Sequence, residues 1–204
     1  IVMVNGQDWR KMSNFTEQDV KDGLKRIGTA TATVDSVMSP LGLSSVGDFM
    51  TNMALKETWA GAGYDHTAPH TYGPWQIDPI MMYDIQKNIL ERDTHQKRAG
   101  AINDYMRSIG YENFDIGNVA SVKKDGNKYS YADKGQYAND PLVNAFLTRL
   151  ALSSIKEDVP TALPAQGVYW KKHWNKSGAG EAHQLEDMVN IWRPKYATMN
   201  KGKW

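Results

Sequence analysis

"LKETWAGAGYDHTAPHTYGPWQIDP", residues 55–79, sets one glutamate, Glu57, near the end of a helical pattern and follows it with a loop rich in glycine, proline and aromatics. Glu57 lies eleven positions after Val46, seven after Met50 and four after Met53. At about 100° per residue it therefore shares a stripe with those apolar side chains. A carboxylate on the buried face of a helix end is disfavoured as an anion twice, by desolvation and by the negative end of the helix dipole. Both effects raise its pKa, the condition for holding a proton near neutral pH and delivering it to a leaving oxygen. The plainer alternative is a helix-end glutamate that points to solvent.

Working outward, the pattern is mainly helical. "NFTEQDVKDGLKRI" offers Thr16 as N-cap with Asp19 three residues on, then Val20, Gly23, Leu24 and Ile27 at helical spacing. "SSVGDFMTNMALKE" repeats the device with Ser45 and Asp48 as a capping box and Val46, Phe49, Met50 and Met53 as its stripe. Further helices are expected over 80–92 (Met82, Ile85, Ile89) and 96–109 (Ala99, Ile102, Met106, Ile109). "NVASVKKDGNKYSYADKGQY" then alternates around Asp125-Gly126-Asn127 and reads as a hairpin. Asp140 and Pro141 open another helix, with Val143, Phe146, Leu147 and Leu150 on its apolar face. "VPTALPAQG" reads as a turn-rich link, followed by helices at about 167–175 and at 181–192, the last burying Leu185, Met188, Val189 and Trp192.

Bulk properties exclude several classes. The 204 residues suffice for one domain with a real core, and 41% hydrophobic with 23% charged residues argues against disorder. No apolar run reaches the roughly 18 residues of a membrane span. A formal charge of +1 does not suggest nucleic acid, although seven Lys/Arg against three Asp/Glu after Gln166 would favour an anionic polymer. With no cysteine there is no disulfide, thiolate metal site or thiol nucleophile. Seven tryptophans and ten tyrosines fit core packing first, and sugar-binding surfaces second.

Glu57-Thr58 followed by Gly73-Pro74-Trp75-Gln76-Ile77-Asp78-Pro79 resembles the E-S … G-L-M-Q-I-x-P signature of soluble lytic transglycosylases and goose-type lysozymes. "DPLVNAFLTRLAL" is similar to that family's D-P-x-x-N helix through Asp140, Pro141 and Asn144. "YWKKHWNKSGAG" resembles its A-x-Y-N-A-G segment, with Trp174, Asn175, Gly178 and Gly180. Together the motifs cover roughly residues 45–192 in family order. Thr58 stands for a serine, Pro74-Trp75 for Leu-Met, and Trp174 for a tyrosine whose hydroxyl is lost; the long 80–139 stretch is an insertion.

The resemblance implies one lysozyme-like domain, mainly α with a small hairpin, two helical lobes and a glycan groove. Its parts are a helical lead-in (1–40), the catalytic helix and loop (41–79), the insertion (80–139) and the C-terminal helices (140–204). It implies cleavage of the MurNAc–GlcNAc bond of bacterial peptidoglycan, with Glu57 as acid and then base and 1,6-anhydro-MurNAc as product. Thr58, Tyr72, Trp75, Gln76, Asn144, Trp174 and Asn175 would touch substrate, without metal or other cofactor. A hydrolase of the same fold would add a second carboxylate, for which Asp65 is the first candidate and Asp78 a weaker one; either is also a natural turn residue.

Two other readings stay open. His66 and His70 in "DHTAPH", beside Asp65, are acceptable zinc ligands, but Pro69 breaks the helix that their spacing requires. "DGNKYSYADKG" lacks the ligands and final glutamate of a calcium loop. A non-catalytic glycan-binding or structural virion module is the alternative of another class. No secretory leader is read in "IVMVNGQDWR", so the expected setting is a bacteriophage virion or lysis protein with other virion proteins as partners; a bacterial periplasmic enzyme freed of its signal peptide is the second choice.

Overall fold

The computed structural model describes residues 14–197 and, before them, the backbone pairs 3–4 and 7–8. Those pairs are two short antiparallel strands, β1 (Met3–Val4) and β2 (Gln7–Asp8), which the helical pattern of the lead-in did not foretell. The rest is mainly helical: α1 (Glu17–Met38), α2 (Gly47–Thr58), α3 (Pro79–Asp84), α4 (Asp93–Ser108), α5 (Pro141–Ser153), α6 (Leu163–His173) and α7 (His183–Ala197). Between α4 and α5 stands one hairpin, β3 (Ser121–Asp125) and β4 (Lys128–Asp133). Gly126, at φ +58°, makes its two-residue turn.

Local chemistry accounts for several of these boundaries. Thr16 and Asp19 close a reciprocal capping box on α1, which then runs to Met38, well beyond the stretch that the first apolar repeat suggests. Asp140 caps α5 through the Leu142 and Val143 amides, and Pro141 begins it. The Ser45/Asp48 box does not form. Val46 is the N-cap of α2, and the Ser45 hydroxyl instead donates to Asp35 Oδ2 at 2.5 Å, tying the loop to α1.

The α2 stripe is also corrected. Every residue from Phe49 to Leu55 is buried, whereas Val46 is only partly so. α2 is thus a central helix enclosed on all sides, packed against α1 and α7, and a one-sided stripe understates it. The expected 80–92 helix is the short α3 followed by a π-helical turn, Ile85–Ile89; Met82, Ile85 and Ile89 are buried in it as expected. α4 begins three residues early, and Ile109 caps it with 46% exposure and no place in the core. Half of the supposed link "VPTALPAQG" is the first turn of α6, opened by Pro164, and α7 continues through Pro194. Buried apolar side chains from α1 to α7 join one continuous cluster. Among the described residues no helix is long and apolar enough to cross a membrane.

Candidate active site

Glu57 sits in the last turn of α2, partly buried, and its Oε1 accepts a hydrogen bond of 2.8 Å from the Trp170 indole on α6. Burial pushes its pKa above the usual carboxylate range; the Trp170 hydrogen bond and the neighbouring Lys56 ammonium oppose that shift but do not cancel it. Lys56 lies 5.4 Å from the Trp170 ring centroid, and its own pKa is lowered by burial. The carboxyl is therefore biased toward its protonated form while the Trp170 hydrogen bond fixes its place.

Behind Glu57 the backbone reverses through three left-handed residues, Trp59 (φ 48°), Ala60 (58°) and Gly61 (85°). Non-glycine residues there are strained and persist only where their surroundings impose the conformation. Here the imposition is visible. Thr58 Oγ1 donates to the Pro74 carbonyl at 2.7 Å and accepts from the Gly61 amide at 2.9 Å. Gly23 of α1 has no Cβ, and one added there would lie 2.3 Å from the Ala60 carbonyl oxygen.

The "TYGPWQIDP" segment is a tight loop closed by the Tyr72–Ile77 bridge. Its corner places Gly73 (φ +70°) and Gln76 (φ 54°) in the left-handed region. Trp75 is fully buried and its indole donates to the Met50 carbonyl of α2 at 2.8 Å. A Cβ on Gly73 would lie 2.0 Å from Asn144 Oδ1, so the α5 amide fills the space the glycine leaves. Trp174, the residue after α6, donates its indole N–H to the Trp75 carbonyl at 2.9 Å. Residues 57–61, 72–78, 144 and 170–175 thus meet at one place.

That convergence changes several expected roles. Thr58, Tyr72, Trp75 and Asn144 were expected to contact substrate, yet each has essentially no exposed surface. Thr58 and Trp75 spend their polar atoms on backbone, and Asn144 Nδ2 donates to the Tyr137, Ala138 and Asp140 carbonyls. They build the site from beneath. Gln76, Trp174 and Asn175 keep part of their surface exposed. Gln76 donates to its own Gly73 carbonyl at 3.1 Å, and Asn175 accepts from Lys171 Nζ at 3.3 Å and fills the space beside Gly178.

Asp65 is exposed and caps its own turn, accepting from the Thr67 hydroxyl at 2.6 Å and amide at 2.8 Å. Those bonds hold its pKa below the ordinary carboxylate value, away from the range that suits a general base. Asp78 caps α3 through the Met81 amide at 2.7 Å. His66 and His70 are both exposed, and among the described residues no group of three His, Asp or Glu is placed to hold a metal.

Two contributors escaped the sequence reading. Trp170 was available to it, being four residues before Trp174 and so on the same helix face. The second is the hairpin. Tyr131 donates to the Ile77 carbonyl at 2.8 Å, and Lys134 just beyond β4 donates to the His66 and Ala68 carbonyls at 3.0 and 2.8 Å. The 80–139 segment thereby braces both loops around Glu57; no local signal announces it. No protein-family model matches this chain, and no curated protein or solved structure is significantly similar to it.

Proposed function

We propose that the chain is a lytic transglycosylase that cuts the glycan strands of bacterial peptidoglycan, with Glu57 as general acid and base. The observation that carries this reading is the Glu57 carboxyl, raised in pKa by burial and held by Trp170 where the two left-handed loops meet. The protonated carboxyl gives its proton to the glycosidic oxygen as the bond from that oxygen to the muramyl C1 breaks. The resulting carboxylate takes the proton from the C6 hydroxyl, whose oxygen closes on C1. One carboxylate completes the cycle, and no water is consumed. Gln76, Asn175 and the Trp174 indole are the groups offered to sugar amides, hydroxyls and ring faces.

The one-carboxylate route is favoured over a hydrolytic muramidase because Asp65 is engaged in its own turn. Mass spectrometry of muropeptides released from purified peptidoglycan by wild type and Glu57→Gln tests it. Anhydromuramyl products, one water lighter and absent with the variant, are the expected result. Reducing ends in their place would make the enzyme a hydrolase. Absence of cleavage by the wild type would leave a glycan-binding or structural module. The proposed setting is a bacteriophage virion or lysis protein, with delivery to the periplasm; immunoblots of purified virions against lysed cells test it.

A further inference from the structure

One turn of α6 beyond Trp170, the chain opens into a cleft of about 660 Å³, within the range of small-ligand sites. Trp174 and Asp78 line it, so it continues from the two site segments already described, although Glu57 is not on its wall. Much of the remaining lining comes from the 80–139 segment: Tyr83 and Asp84 of α3, Asn88, and Lys124 and Tyr129 of the hairpin. Tyr83 and Tyr129 pack edge to face at 5.2 Å, and the Lys124 ammonium lies 5.5 Å from each ring centroid. This arrangement fixes two partly exposed aromatic rings in the cleft that Trp174 also lines.

We infer that this cleft is a second sugar-binding subsite, in which the insertion holds the part of the glycan strand that runs on from the bond at Glu57. The inference rests on the reading of Glu57 given above. The occupant follows from the walls. The aromatic rings in the lining suit the apolar faces of pyranose rings. Asn88 Nδ2 donates to Asp84 Oδ1 and Ser154 Oγ to the Ala151 carbonyl. That leaves Asn88 Oδ1, the second Asp84 oxygen and the Ser154 lone pairs to accept from hydroxyls and acetamides. Lys124 and Lys176 line the same space as Asp78 and Asp84, so these charges balance. That balance fits a neutral N-acetylated sugar and disfavours a polyanion. Seven of the fifteen lining residues fall in 80–139, which explains why the insertion is placed beside the site.

The test is retention on purified insoluble peptidoglycan, measured for Glu57→Gln so that no strand is cut, with and without Tyr129→Ala. Loss of the ring is expected to weaken retention about tenfold, and Tyr129→Phe to restore it. Ser177→Trp, which fills the cleft from outside the hairpin, is expected to weaken retention similarly and guards against a fault in the hairpin alone. Equal retention by Glu57→Gln with Tyr129→Ala and with Ser177→Trp, both melting cooperatively, would overturn the subsite while leaving the Glu57 assignment standing. No retention of Glu57→Gln itself would overturn the glycan reading and the subsite together. On wild type, the same two changes should raise KM for long strands and leave kcat unchanged.

Discussion

The Trp170 indole N–H reaches Glu57 Oε1 at 2.8 Å across 113 positions of sequence, and it does so from a buried position on α6. This bond stabilises the carboxylate, whereas desolvation stabilises the acid, and desolvation wins. Glu57 is therefore a tuned group: removing either opposing influence should move its titration in a known direction.

On the proposed function, the alkaline limb of the activity profile would report Glu57 losing its proton. Trp170→Phe keeps the ring bulk and removes the donor; Lys56→Gln removes the ammonium. Each deletes an influence that lowers the Glu57 pKa, so each limb should shift to higher pH. kcat/KM measured against pH on soluble glycan strands checks this, and a shift to lower pH in either variant would mean that another group sets the limb.

Stability should carry the same signature. The folded pKa of Glu57 is raised, so as pH increases the unfolded chain gives up this proton first. Stability contributed by the protonated carboxyl is full below the unfolded value near 4.3 and is lost as pH rises through the folded value. Glu57→Gln keeps an acceptor for Trp170 and cannot ionise. Its melting temperature should match wild type at low pH and exceed it by a few degrees at neutral pH. Thermal melts between those limits are the measurement.

Gly73 and Asn144 form the other joint of the site. With φ at +70° and a Cβ position 2.0 Å from Asn144 Oδ1, Gly73→Ala combines backbone strain with a clash. A loss of about 2–4 kcal/mol in urea unfolding is expected. Gly73→Ala with Asn144→Ala should cost less than the sum of the single changes, since the clash goes with the amide.

The parts of this design legible in sequence are those with a local cause. Thr16, Asp140, Pro141 and Gly126 act on neighbours within a few positions, and each stands where its spacing puts it. Glu57 was legible as a buried carboxylate, but for an incomplete reason, since α2 is enclosed on every side and not on one stripe. Thr58, Tyr72, Trp75 and Asn144 illustrate the limit. A motif identifies residues that matter together, and only packing decides which of them face the ligand and which hold the others. Ser45 failed for the same reason: its hydroxyl is turned to donate to Asp35, ten positions away, and Val46 takes the N-cap position. Trp170 stood at a legible helical spacing from Trp174, whereas Tyr131 and Lys134 depend wholly on tertiary contacts.

Lys134 offers the last test, because its bonds to the His66 and Ala68 carbonyls, with the Tyr64 hydroxyl's bond to Asn139 Oδ1, join the 80–139 segment to the loop behind Glu57. Burial lowers the Lys134 pKa, with Asp65 nearby opposing that, so the ammonium is partly desolvated to make this contact. Lys134→Met keeps the aliphatic stem and deletes both bonds. The loop over 62–70 has few buried side chains of its own, so it should open locally long before the core does. Hydrogen exchange at Ala68, whose amide donates to the Asp65 carbonyl, should accelerate about tenfold in the variant, while α5 core amides keep their rates. Lys134→Arg, which can still donate to two carbonyls, should recover most of the protection. Uniform acceleration in loop and core alike would mean that Lys134 supports the whole fold and not this loop.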